Sequence, residues 1–222
     1  MLDLVERIED AIGTLADETT ELGLFAEEVF KSAAAALFEQ PEAAARVALE
    51  TERVCQQVYR LVHQKGLAVL AWYQPTEEEM RHVVELQHIA GELARIGIDG
   101  RRIAEQALWL RGRGDAELRA IEGPAALLLA SLIRQTYHEL RGCVILTTTR
   151  DANLARRLLA ADPELDRLFL SYKATLDEAI HLRPRNAAPL QRLLLAGVHM
   201  EDIGNHVVAI CRALLFQPPV SG

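Results

Sequence analysis

An Ile-Gly pair occurs twice inside the same helical pattern, at Ile96-Gly97 and at Ile203-Gly204, and each copy carries another isoleucine six residues beyond the glycine, Ile103 and Ile210. The separation of 107 residues is close to half of the 222-residue chain, so the sequence reads as a duplicated module rather than one irregular domain. Around the first copy Val83, Leu86, Ile89, Ala90, Leu93, Ile96 and Ile103 recur at threes and fours. Around the second, Leu190, Leu193, Leu194, Met200, Ile203, Val207 and Ile210 do the same. That spacing is the signature of an amphipathic helix. A glycine inside a helix costs about 1 kcal/mol relative to alanine. Its presence at equivalent points of two helices implies that a neighbouring helix, or a ligand, comes unusually close there.

Breakers divide the rest of the chain. Gln40-Pro41 ends a first helix that begins near Leu4, and Tyr73-Gln74-Pro75-Thr76 ends a second, with Pro75 or Thr76 opening the third. Arg111-Gly112-Arg113-Gly114-Asp115 reads as a linker near the midpoint, and Glu122-Gly123-Pro124 opens the second half. Thr147 to Asp151 then separates a fourth helix from a fifth, and His181 to Pro189 a fifth from a sixth. Long helices joined by short turns pack antiparallel as bundles. The expected fold is therefore all-α, a tandem repeat of two three-helix bundles, residues 1–114 and 115–222. Aromatic residues are only 5% of the chain, so the core has to be aliphatic. Ala45-Arg46 matches Ala155-Arg156 at an offset of 110, not 107, which makes the second repeat about one helical turn shorter between its second and third helices.

Charge narrows the function. Thirty-two acidic residues against 24 basic ones give a net charge of −8 with neutral histidine, unfavourable for nucleic acid or bare anionic lipid. No apolar run reaches the length of a membrane span, and the first residues lack the basic start and apolar stretch of a signal peptide. Cys55, Cys143 and Cys211 form no paired motif and are expected to be reduced thiols of a cytoplasmic protein. There is no His-Glu-x-x-His, no nucleophile elbow and no phosphate-cradling glycine loop, so the expectation is a protein that is not an enzyme. His199 and His206 are seven apart and share a helix face with Met200 and Ile203 close by, which points to a helix–helix interface.

At Arg95-Ile96-Gly97, continued by Ile103-Ala104-Glu105, and at Glu201-Asp202-Ile203-Gly204-Asn205-His206, the chain resembles the PhoU family, bacterial regulators of phosphate uptake. Gln74-Pro75 ahead of the third helix, followed by Arg81, strengthens the resemblance, which extends over the whole chain in length and helix order. It implies a tandem of three-helix bundles and an acidic pair, four residues apart, on each third helix that faces a second pair on the preceding helix and holds divalent metal or iron clusters. In the first repeat Ala94 and Ile98 occupy the third-helix positions, and Thr51 and Cys55 are expected opposite them, so that site looks dismantled. In the second repeat Glu201 remains, Asn205 replaces the aspartate, and Asp162 and Asp166 are expected to face them. Residues four apart share a helix face. Glu201, Asn205, Asp162 and Asp166 would thus offer oxygen ligands suited to Mg, Ca, Mn or ferrous iron.

The resemblance further implies a non-enzymatic cytoplasmic regulator, acting by contact with a phosphate ABC transporter and a membrane sensor kinase. It implies a homodimer that reaches the membrane only through partner proteins. Two other readings stand beside this one. The first is a metal-storing or metal-sensing helical protein. The second is a diverged paralogue acting on another transporter or a polyphosphate-linked process.

Overall fold

Six long helices form where the breakers allow them. In a computed structural model, which describes residues 2–38, 41–111 and 123–215, α1 spans Leu2–Phe38, α2 Pro41–Trp72, α3 Glu77–Arg111, α4 Pro124–Thr149, α5 Ala152–Leu182 and α6 Ala187–Leu215. The boundary expected between residues 114 and 115 lies outside the described residues. Helix α3 opens at Glu77, one residue after the later of the two expected starts and two after the earlier. Thr76 caps it: its hydroxyl accepts from the Glu79 N–H at 3.3 Å, and the Glu79 carboxylate accepts from the Thr76 N–H at 2.7 Å. This reciprocal box, with Glu77, Glu78 and Glu79 in the first turn, satisfies the free N–H groups and the positive end of the helix dipole.

The break between α4 and α5 is tighter than the five-residue expectation, because the threonines stay helical. Arg150 adopts a left-handed conformation (φ 50°) and donates its N–H to the Leu146 carbonyl at 2.9 Å. Asp151 then caps α5 by accepting from the Asn153 N–H at 2.8 Å. The Arg150 guanidinium reaches across to Glu85 of α3 at 2.6 Å, tying this turn to the first repeat.

Helices α1, α2 and α3 pack on one another, as do α4, α5 and α6, and the two sets join through α3 against α6 and α1 against α4. The core is aliphatic, as the composition requires: Leu15 and Leu22 of α1, Ile89, Leu93, Ile96 and Ile103 of α3, and Leu129, Leu132 and Leu140 of α4 are all fully enclosed. The aromatic exceptions among the largest buried side chains are Phe30 and Tyr172, and the Tyr172 hydroxyl donates to the Leu193 carbonyl at 3.2 Å. All three cysteines are buried and free. Burial pushes the Cys55 and Cys211 thiols up to about 12, so they pack as small apolar groups. No helix among the described residues is long and apolar enough to cross a membrane.

The register difference between the repeats also has a location. Twenty residues of α3 precede Gly97, whereas 17 residues of α6 precede Gly204. The missing turn is at the N-terminus of the third helix, and the two glycines keep equivalent places below it.

Candidate functional site

Gly204 marks the point where α5 crosses α6. A side-chain carbon added there would collide with Cδ2 of Leu165 and would lie 3.6 Å from Glu139 Oε2 and 3.7 Å from Asp162 Oδ1. The glycine thus lets α5 approach α6 closely and draws carboxylates from α4 and α5 to the same spot. Asp166 follows Asp162 by one turn, and Glu201 precedes Gly204 by one. Asn205 donates its side-chain N–H to Glu201 Oε1 at 2.9 Å, so these two α6 residues do share a face.

Asp166 acts on the other three carboxyl groups, raising each of them. Burial raises the Glu201 carboxyl, the Asn205 hydrogen bond partly offsets this, and Asp202, Asp166 and Asp162 raise it further. Burial and then Asp166 raise Asp162 against the opposing pull of Arg212. Glu139 is the most affected: enclosure pushes it up, its bond from Gln135 resists, and Asp162 and Asp166 add to the rise, which reaches about 7. Its Oε1 accepts from Gln135 Nε2 at 2.8 Å, but Oε2 makes no hydrogen bond among the described residues although Glu139 is only 1% exposed. Among the described residues, however, no three of Glu139, Asp162, Asp166 and Glu201 bring ligand atoms within 4.8 Å of one another, so the carboxylates expected to hold a metal share a crossing without closing around an ion. Pro163 also lies within this turn of α5; lacking an N–H, it leaves the Leu159 carbonyl without its helical donor beside the aspartates. Glu139 escaped the sequence reading, yet it had a signal: it falls within the buried stripe Leu132, Thr136, Leu140 and Cys143 of α4, where a carboxylate needs a reason.

The equivalent spot in the first repeat corrects one assignment by a single residue. Gly97 packs against Cys55, whose Sγ would be 2.8 Å from an added carbon, as Gly204 packs against Leu165. Cys55 is therefore the counterpart of Leu165. The counterparts of Asp162 and Asp166 are Glu52 and Gln56, not Thr51 and Cys55. Glu52 is buried and lies 3.7 Å from the Arg101 guanidinium, and Gln56 donates to the Ala94 carbonyl at 3.1 Å. Here an arginine and an amide hydrogen bond satisfy what carboxylates would leave charged.

The two histidines seven apart meet the first repeat, as expected of an interface. His206 Nδ1 lies 2.7 Å from Glu92 Oε2 and its Nε2 lies 3.4 Å from Asp99 Oδ2. His199 Nδ1 is 3.2 Å from Asp99 Oδ1 and 3.5 Å from Asp202 Oδ2. Burial alone would raise the Asp99 carboxyl, but its contacts with His199 and His206 outweigh it and hold the group down to about 2. For His206, burial pulls downward and the Asp99 and Glu92 carboxylates prevail, raising it. Arg102 adds a contact to Asp99 Oδ1 at 3.1 Å, and Arg95 pairs with Glu92. By the 107-residue offset Glu92 corresponds to His199 and Asp99 to His206. Equivalent positions of the two repeats thus carry opposite chemistry and meet.

Residues 19–107 match the PhoU domain. The phosphate-specific transport system accessory protein PhoU homolog of Rhizobium meliloti (strain 1021) is 22% identical over 215 residues, which is 96% of this chain and 87% of that relative. The crystal structure of PhoU from Pseudomonas aeruginosa matches with a TM-score of 0.87 at 19% identity, over 94% of this chain and 97% of that one. The phosphate transport system regulatory protein PhoU from Streptococcus pneumoniae matches with a TM-score of 0.80 at 17% identity, over 94% and 95%. At these identities the two solved structures speak for the fold, six helices in two repeats.

Proposed function

The chain belongs to the PhoU family, and from this premise we propose that it is a non-enzymatic regulator of phosphate uptake and of phosphate-starvation signalling. The observation that carries the reading is the end-to-end match, 96% of this chain against 87% of a relative named as an accessory protein of phosphate-specific transport. The reading places the protein in the cytoplasm, as a homodimer whose helical faces contact a phosphate ABC transporter and a membrane sensor kinase. Contact regulates only if it differs between two states of the partner, so the protein is expected to bind one transporter conformation in preference to the other. Deleting its gene from the host and following a phosphate-starvation reporter at high phosphate tests this. Derepression, reversed by the restored gene, supports the proposal. A reporter that stays silent, with phosphate uptake unchanged, overturns it in favour of a paralogue acting on another transporter.

A second reading, a divalent cation held by Asp162, Asp166, Glu201 and Asn205, draws support from Glu139 Oε2, a buried oxygen that makes no hydrogen bond among the described residues and shares the Gly204 crossing with Asp162. Manganese or ferrous iron would then raise the melting temperature of the wild type and leave Glu201→Ala unmoved. Equal shifts in both proteins would count against it.

A further inference from the structure

The seam between the repeats holds a second cluster whose chemistry differs from that of the acidic face. His199 Nδ1, Asp99 Oδ1 and Asp202 Oδ2 converge from α3 and α6, and the three residues can bring one ligand atom each within 4.8 Å of the others. The two separations from Nδ1, 3.2 Å and 3.5 Å, bracket the edge of about 3.3 Å expected between ligands of a tetrahedral zinc-class ion with bonds of about 2.0–2.1 Å. His199 supplies a separate indication. Its Nδ1 is buried and makes no well-formed hydrogen bond among the described residues, although two carboxylates are within 3.5 Å. A ring nitrogen that faces two carboxylate oxygens without aligning a proton on either is disposed as a metal ligand is.

We propose that Asp99, His199 and Asp202 form a binding site for a borderline divalent cation of the zinc class, placed between the two repeats. Nitrogen with two carboxylate oxygens is a donor set for zinc or cobalt rather than magnesium. Water completes the coordination from the outer side, where the Asp202 side chain is 41% exposed. His206 positions Asp99: its Nε2 faces Asp99 Oδ2 while its Nδ1 is held by Glu92, so Oδ1 is turned toward His199. Such outer partners orient ligands in metal sites generally. Arg102, which shares Asp99 Oδ1 and is half exposed, has to swing outward when the ion enters. Because the ligands come from both repeats, the ion would clamp α3 to α6. The inference is independent of the regulatory reading and of the acidic face around Gly204.

The test uses the full chain, stripped with a chelator and dialysed against zinc. One equivalent is expected at the seam, with affinity reduced at least tenfold in His199→Gln and in Asp202→Asn and unchanged in Glu28→Gln, which lies half-exposed on α1; Glu201→Ala is measured beside them. Cobalt in place of zinc is expected to give the intense visible absorption of a four-coordinate ion, lost in both seam variants. Metal-free His199→Gln is expected to melt lower, because it leaves the buried Asp99 without one of its seam partners, and a helical circular-dichroism spectrum unchanged at the assay temperature excludes misfolding of either variant. Failure to bind zinc overturns the proposal. So does binding that survives His199→Gln and Asp202→Asn, and loss only in Glu201→Ala would assign the ion to the acidic face instead.

Discussion

Glu139 shows how far one residue can depart from its neighbours' chemistry. It sits in the apolar stripe of α4, faces two aspartates of α5, and holds a carboxyl raised to about 7 chiefly by burial. Its folded-state value exceeds its unfolded one, so the native state binds the proton more tightly. The resulting stability is fully present below the ordinary glutamate range and is lost as pH rises through about 7. Urea unfolding of the wild type and of Glu139→Gln, at pH 5 and pH 8, checks this. The wild type is expected to lose about 3 kcal/mol relative to the variant between the two values. Parallel pH profiles would mean that Glu139 ionises as an ordinary surface carboxylate does. The sequence made the residue type visible and its place in the stripe visible. What it left out was the pair of aspartates from another helix, and those are supplied only by the crossing of α5 over α6.

At the level of elements, periodicity and breakers located all six helices, because a helix longer than twenty residues leaves many chances for its stripe to register. Errors collected at the ends. Thr147 to Thr149 reads as part of the break, yet the hydroxyls of Thr147 and Thr149 donate to the Val144 and Ile145 carbonyls within the helix at 2.8 Å and 3.0 Å, and the turn needs only Arg150 and Asp151. The crossing glycines were legible in kind: Gly97 and Gly204 do mark close approach. The partner side chains were legible too, for the offset of 110 that matches Ala45-Arg46 to Ala155-Arg156 carries Asp162 and Asp166 onto Glu52 and Gln56, one residue beyond Thr51 and Cys55. The packing of Cys55 against Gly97 and of Leu165 against Gly204 has the same register. One residue of slip turns a helix by about 100°. That is enough to replace a buried ion-paired glutamate with a threonine in the comparison.

Across the whole molecule the duplicated halves meet along a polar seam with its own period. Glu92, Asp99 and Gln106 step by seven along α3, and His206, His199 and Arg192 step back by seven along α6, each pair in contact. This is the geometry of antiparallel helices with a heptad-like stripe, and it fixes orientation as well as adhesion, since sliding by one turn would bring acid and histidine out of match. A buried charged pair is weak evidence for net stability, because desolvation offsets much of the attraction, but breaking it from one side leaves a stranded group. The seam therefore predicts strong non-additivity. With chelator present, so that no metal contributes, Glu92→Gln and His206→Gln are each expected to cost about 2 kcal/mol in urea unfolding. The double variant should cost about 1 kcal/mol less than the two combined, the coupling typical of residues in direct contact. Independent losses that simply add would show that Glu92 and His206 each serve their own repeat. The opposite chemistry at equivalent positions would then be a product of divergence rather than the element that sets one bundle against the other.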